Sequence, residues 1–144
     1  MKILVPVDGS QNSIEAVKAA SQYAKTTKAE VYLMTVSPFI SGLDLEISAG
    51  AMESLNESMK SRGEEVLSKA QGILTAEGIS VKTILSSSIS AADEIIGFAE
   101  KEKIDLIVIG SRGLGGKATR FFMGSVASRV VSHAPCNVYV VKTA

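Results

Sequence analysis

Asp105-Leu-Ile-Val-Ile-Gly-Ser-Arg-Gly-Leu-Gly-Gly-Lys117 decides the fold, because the apolar run Leu106 to Ile109 passes without polar alternation straight into a glycine-rich turn. A short aliphatic run of that kind suits a strand buried on both faces of a parallel sheet. Similar runs lie on either side of it in the chain, at Ile3 to Val7, Glu30 to Val36, Val81 to Leu85 and Val138 to Val141. Between them the spacing turns helical. Asn12 with Glu15 reads as a capping box ahead of Ile14, Val17, Ser21 and Ala24, and Ser90 with Asp93 repeats it ahead of Ile95, Ile96 and Ala99. Met52 to Ala76 sets Leu55, Met59, Val66, Ala70, Ile73 and Leu74 on one face despite Gly63 and Gly72, and Gly78 stops that helix. A last helix runs from Gly124, Ser125 and Val126 through Val130 to His133 and Ala134, where Pro135 ends it.

Strands alternating with helices predict a doubly wound α/β domain: one unit, residues 1–144, with a five-stranded parallel sheet and helices on both faces. Phe39 to Gly50 is expected to be an irregular connection. The chain has 144 residues, 46% hydrophobic, with 15 basic and 15 acidic side chains and no net charge, which fits a single globular domain and argues against a general nucleic-acid binder. No stretch approaches the length of a membrane span, and Pro6 and Asp8 interrupt the N-terminal apolar run before a signal sequence forms, so a cytoplasmic protein is expected. One Cys and one His are too few for a zinc site built on those ligands.

The chemistry concentrates in two loops expected at the carboxyl ends of the strands, where open α/β sheets bind ligands. The first is Pro6-Val-Asp-Gly-Ser10. Asp8 ends a buried strand there and is assigned to ligand binding, with helix capping as the alternative. The second is Gly110 to Lys117, with Gly110, Gly113, Gly115 and Gly116 within seven residues. Glycine admits positive φ and lets main-chain amides approach a bulky anion, so a phosphate is the natural guest. The free amides of the helix beginning at Gly124 would add to the attraction. No acidic residue follows Asp105, whereas Arg112, Lys117, Arg120, Arg129 and Lys142 do. The loop is not a Walker A motif, since the pattern G-x-x-x-x-G-K-[ST] fails at Ser111 and Ala118, and Gly113, Gly115 and Ala118 lack the acidic residue of a dinucleotide fingerprint. Neither a G-x-S-x-G elbow nor a His-based triad can be assembled; His133 reads as a helix-terminal side chain and Cys136 as a small buried one.

Ile3-Leu-Val-Pro-Val-Asp-Gly-Ser10, Asp105-Leu-Ile-Val-Ile-Gly-Ser-Arg-Gly113 and Gly124-Ser-Val-Ala-Ser-Arg-Val-Val-Ser-His-Ala-Pro-Cys136 together resemble the universal stress protein family over essentially the whole chain, and its ATP-binding branch in particular. That branch carries G-x-x-G, about nine residues, then G-[ST]; here Gly110, Gly113, Gly124 and Ser125 fit, with ten residues between Gly113 and Gly124. The G-x-P-A turn usual before the third helix is missing from Ser86 to Ala92.

The resemblance implies an adenine-nucleotide α-hydrolase-like fold binding ATP with phosphate-held Mg2+. Pro6, Val7 and Asp8 would line the adenine and ribose pocket, with the main chain of Val36 reading the adenine edge. Gly110, Ser111, Arg112 and Gly113 would cradle ribose and phosphates, Gly124, Ser125 and Val126 would meet the phosphates, and Ile109, Gly115 and Gly116 would belong to the same nucleotide site. It also implies a homodimer joined through the last strand, Asn137 to Lys142, and an unidentified protein partner. The function expected is a regulatory, stress-responsive ATP binder without efficient catalysis. A slow ATP hydrolase and a nucleotide-free dimer acting through protein contacts are the alternatives.

Overall fold

The structure, a computed structural model, describes residues 1–38, 48–113 and 123–142. The elements follow as β1 (Lys2–Pro6), α1 (Gln11–Thr27), β2 (Glu30–Pro38), α2 (Ala49–Thr75), β3 (Val81–Ser88), α3 (Ala91–Lys101), β4 (Leu106–Gly110), α4 (Ser125–His133) and β5 (Asn137–Val141). Every strand pair is parallel, in the order β3-β2-β1-β4-β5. The chain therefore winds outward from β1 through β2 to β3, then crosses back to β4 and β5. The strand order reverses between β1 and β4, which opens a crevice at their carboxyl ends.

The period of two along β1 divides the core into two layers. Ile3, Val5 and Val7 face Ala16, Val17, Ala20 and Ala24 of α1 and Leu67, Ala70 and Leu74 of α2. Leu4 faces the opposite layer, with Tyr32 and Met34 of β2, Ile107 and Ile109 of β4, Ala92, Ile95 and Ala99 of α3, and Ala127 and Val130 of α4. The continuous apolar runs are buried on both faces in β1, most of β2, and β4. The edge strands depart from that expectation: Lys82 and Thr83 of β3 and Asn137 and Tyr139 of β5 are exposed, because an edge strand has one neighbour and less helix cover.

Four boundaries sharpen the sequence reading. Ser10, not Asn12, caps α1; its Oγ accepts the Ser13 N–H at 3.2 Å, and Ser13 Oγ donates to Ser10 O at 2.9 Å. Asn12 lies inside the first turn. α2 begins at Ala49, with Ser48 Oγ accepting the Ala51 N–H, so the end of the expected 39–50 connection is helix and residues 39–47 lie outside the described part. Gly63, which the helical spacing runs through as expected, is buried at the contact of α2 with the sheet: a Cβ there would stand 2.6 Å from Leu85 Cδ1 and 3.3 Å from Thr35 Cγ2. Ser90 does cap α3, accepting the Asp93 N–H at 3.2 Å. Gly78 (φ +74°) closes α2 as expected, the Gly78 and Ile79 amides donating to Thr75 O and Leu74 O in a Schellman arrangement. Among the described residues no helix is long and apolar enough to cross a membrane.

Candidate functional site

β1 leaves the sheet after the Val7 N–H donates to Met34 O at 2.8 Å, and the chain turns through Gly9 (φ +86°) into the Ser10 cap of α1. The turn carries Asp8 to the mouth of the crevice, where its Oδ1 accepts the Ser10 N–H at 2.9 Å and its main-chain N–H reaches Ser13 Oγ at 3.4 Å. Asp8 is thus tied to the helix entrance even though Ser10 is the cap.

On the other side of the reversal β4 ends at Gly110. A Cβ on that residue would lie 2.9 Å from the carbonyl carbon and oxygen of Asn12, so glycine lets the first turn of α1 rest directly on the strand end. Ser111 follows, 5% exposed, its N–H donating to Val141 O at 2.9 Å and its carbonyl accepting the Gly124 N–H at 2.6 Å. Gly113 then meets the first loop: a Cβ there would fall 2.7 Å from Asp8 Oδ2. Two loops a hundred residues apart in sequence, roughly, so come into contact at the switch point.

α4 starts at this same place. Its N-cap is Gly124 (ψ 158°), which has no side chain to cap the helix, and the first main-chain bond runs from Ser128 N–H to Gly124 O at 2.9 Å. The amides of Ser125, Val126 and Ala127 precede that bond, so they have no acceptor within the helix. Positive potential from the helix dipole collects at this end.

These pieces enclose a cavity of about 490 Å³, within the usual range for small-molecule sites. Asp8, Ser13, Arg112, Gly113, Gly124 and Ser125 give it a polar side; Met34, Val36, Ile95, Ile109 and Ala127 give it an apolar one. The main chain of Val36 adds a directional feature. Glu30 N–H donates to Met1 O and Met34 O accepts from Val7, so the even-numbered residues of β2 present their peptide groups toward β1. Two residues beyond Met34, Val36 presents its N–H and C=O to the same side, past the point where β1 has ended at Pro6. One donor and one acceptor therefore border the apolar part of the cavity.

Pro6, Val7, Asp8, Val36, Ile109, Gly110, Arg112, Gly113, Gly124, Ser125 and Val126, all expected from the sequence, line this cavity together. Ser111 is instead buried as the tie between β5 and α4, and Gly115 and Gly116 lie outside the described residues. Ser13, Met34, Ala91, Ile95 and Ala127 also line it and were missed. Met34 and Ile95 read as core residues in the sequence, and only the pairing of β2 with β1 and the approach of α3 bring them to the wall.

The basic C-terminal quarter is less focused than its composition suggested. Arg129 Nε donates to Asp93 Oδ1 at 2.9 Å across the α3–α4 seam, Lys142 is exposed immediately after β5, and Lys117 and Arg120 lie outside the described residues. The hydrogen bond from Arg129 holds the Asp93 carboxyl below its ordinary pKa. His133 is exposed at the end of α4, and burial pushes the Cys136 thiol up as it packs against the α3–α4 layer. Among the described residues no three His, Cys, Asp or Glu side chains form a group able to hold a metal ion.

The sequence model of the universal stress protein family matches residues 1–142. A universal stress protein of Methanocaldococcus jannaschii is 43% identical over 98% of this chain and 81% of its own length. Among solved structures, UspA from Lactobacillus plantarum superposes with a TM-score of 0.83 at 28% identity, covering 98% of this chain and 97% of that one. A universal stress protein from Archaeoglobus fulgidus in complex with dAMP superposes with a TM-score of 0.69 at 26% identity, covering 99% of this chain and 98% of the other.

Proposed function

The chain belongs to the universal stress protein family, and on that premise we propose that it is a regulatory protein of the cytoplasm that binds an adenine nucleotide in the β1–β4 crevice. The observation that carries this reading is the convergence, in one cavity, of the side-chain-free α4 cap at Gly124 with the Val36 peptide edge. The Val36 N–H and C=O would meet the adenine edge, which offers one acceptor and one donor side by side. Val7, Met34, Ile95 and Ala127 would sandwich the base, and Asp8 would accept from the ribose hydroxyls. The amides of Gly113, Ser125, Val126 and Ala127, aided by Arg112, would hold the phosphates.

Magnitudes favour such a shared arrangement. A micromolar complex needs about 8 kcal/mol, whereas a charge at a helix N-terminus contributes about 0.3–1 kcal/mol. Burial of the base against the apolar wall has to supply most of the rest. Mg2+ would arrive with the phosphates of ATP, because Asp8 is the one carboxylate lining the described cavity and its Oδ1 is already engaged by Ser10.

The same poverty of acidic groups argues for binding over catalysis, as hydrolysis calls for a base to orient water and a second group to support charge transfer. We expect turnover no faster than about one per minute, against an enzyme median near 10 per second. The dimer fits the two edges of the sheet. β3 is blunted by Lys82, while β5, from Asn137 to Val141, carries no charge and exposes Tyr139, leaving it the edge suited to pairing with a second copy.

Denaturing the purified protein and running the supernatant on anion exchange, then titrating stripped protein with AMP and with ATP and Mg2+, tests the reading. Co-purified nucleotide or micromolar binding is the expected result. An empty supernatant with no heat of binding would favour the nucleotide-free dimer.

A further inference from the structure

The walls contributed by α3 and α4 meet in a seam of small side chains. Ala91 of α3 and Val126 and Ala127 of α4 line the cavity, Ala92 sits buried beside them, and Ile95, itself part of the cavity wall, and Val130 follow one turn further along their helices. Ala91, Ala92 and Ala127 bring only a methyl group each to this end of the seam, so a tie across it adds to a contact made by few atoms. What spans the seam there is Arg129 Nε to Asp93 Oδ1 at 2.9 Å, joining the first turn of α3 to the second turn of α4.

We propose that the Asp93–Arg129 pair is a positioning clasp that sets the width of the cavity and so tunes affinity for the ligand, an inference that rests on the nucleotide reading of this site. Neither side chain lines the cavity; both act through the helices that do. Asp93 is fixed from its own side, its N–H bonded to Ser90 Oγ at 3.2 Å, so the carboxylate projects from a capped and ordered turn. Arg129 lies four residues after Ser125, one helical turn from an amide expected to face the ligand. Opening the seam would draw that amide and Ala127 away from the opposite wall.

A plain charge effect makes different predictions, which the experiment separates. Asp93 and Glu94 both stand in the first turn of α3 near the mouth. If charge alone mattered, Asp93→Asn would tighten an anionic ligand and Arg129→Gln would weaken it. A clasp instead requires both to weaken it, and requires the double variant to be no worse than either single one.

Calorimetric titration with AMP is the test, run on wild type, Asp93→Asn, Arg129→Gln, the double variant and Arg129→Lys. We expect Kd to rise about two- to fivefold in both single variants and to the same level in the double, with Arg129→Lys keeping most of the affinity, the scale set by a solvent-exposed pair. Opposite signs, additive losses or unchanged affinities overturn the clasp. Amide exchange of the ligand-free proteins tests it without nucleotide, at the Glu94 N–H bonded to Ser90 O and the Ser128 N–H bonded to Gly124 O. Faster exchange at both amides in the single variants supports the clasp and unchanged exchange overturns it. Failure of wild type to bind AMP overturns the nucleotide reading, and exchange then decides the clasp by itself.

Discussion

Gly110 and Gly113 stand three residues apart in one glycine-rich loop, yet they are glycines for different reasons. Gly110 faces the main chain of Asn12, which cannot rotate away, so Gly110→Ala should cost about 1–3 kcal/mol in a urea melt through overpacking at the start of α1. Gly113 faces only the end of the Asp8 side chain, which can move. Gly113→Val should therefore shift the Asp8 carboxylate into the crevice and weaken AMP by about tenfold or more, a loss of about 1.4 kcal/mol or more, with the melting temperature nearly unchanged. Equal affinity in that variant would remove the loop from the site. The sequence showed a cluster of glycines suited to an anion. It could not divide the cluster between packing and binding, because the atoms that distinguish them belong to Asn12 and Asp8, 98 and 105 residues earlier.

Among the elements, the apolar runs and helical spacings were legible because burial on both faces leaves no polar alternation to confuse the period. Caps were less so. Asn12 and Glu15 satisfied the capping-box spacing as written, but Gly9 at positive φ turns the chain early enough for Ser10 to reach the Ser13 amide. Ser10→Ala should cost about 1 kcal/mol, and Asn12→Ala much less, in parallel chemical melts. The helix was legible across Gly63 but the reason for the glycine was not, since the approach of α2 to Thr35 and Leu85 depends on strand pairing. Two ion pairs also give the elements an acid dependence. Lys82 holds Glu30 and Arg129 holds Asp93 below their ordinary values, each mainly through a direct hydrogen bond. The unfolded chain then takes up more protons than the folded one, so this stabilisation is present above the ordinary carboxylate range and is lost as pH falls through the depressed values. Asp93→Asn should flatten that part of the acid limb in urea midpoints, by a small and salt-sensitive amount because both partners are exposed.

At the scale of the molecule, the alternation of strands and helices sufficed for the doubly wound class. The order β3-β2-β1-β4-β5 adds the consequence that matters for function, a crevice whose walls come from both halves of the chain. Val7 and Val36 come from one half, Ile109 and Val126 from the other. A ligand in that crevice touches β1, β2, β4, α3 and α4 together, so its binding free energy should be coupled to global unfolding and not to the opening of one loop. Linkage gives the size: at a ligand concentration of 100 times Kd the folded state gains about 2.7 kcal/mol. For a chain of this length that corresponds to a rise in melting temperature of roughly 5–15 °C. AMP should produce that rise in a single cooperative transition, and Gly113→Val should cut it to about half or less at the same concentration. A shift confined to an early, partial transition would mean that the ligand touches only one half of the sheet. Because the two halves contribute opposite walls, that outcome would place the ligand outside the β1–β4 crevice.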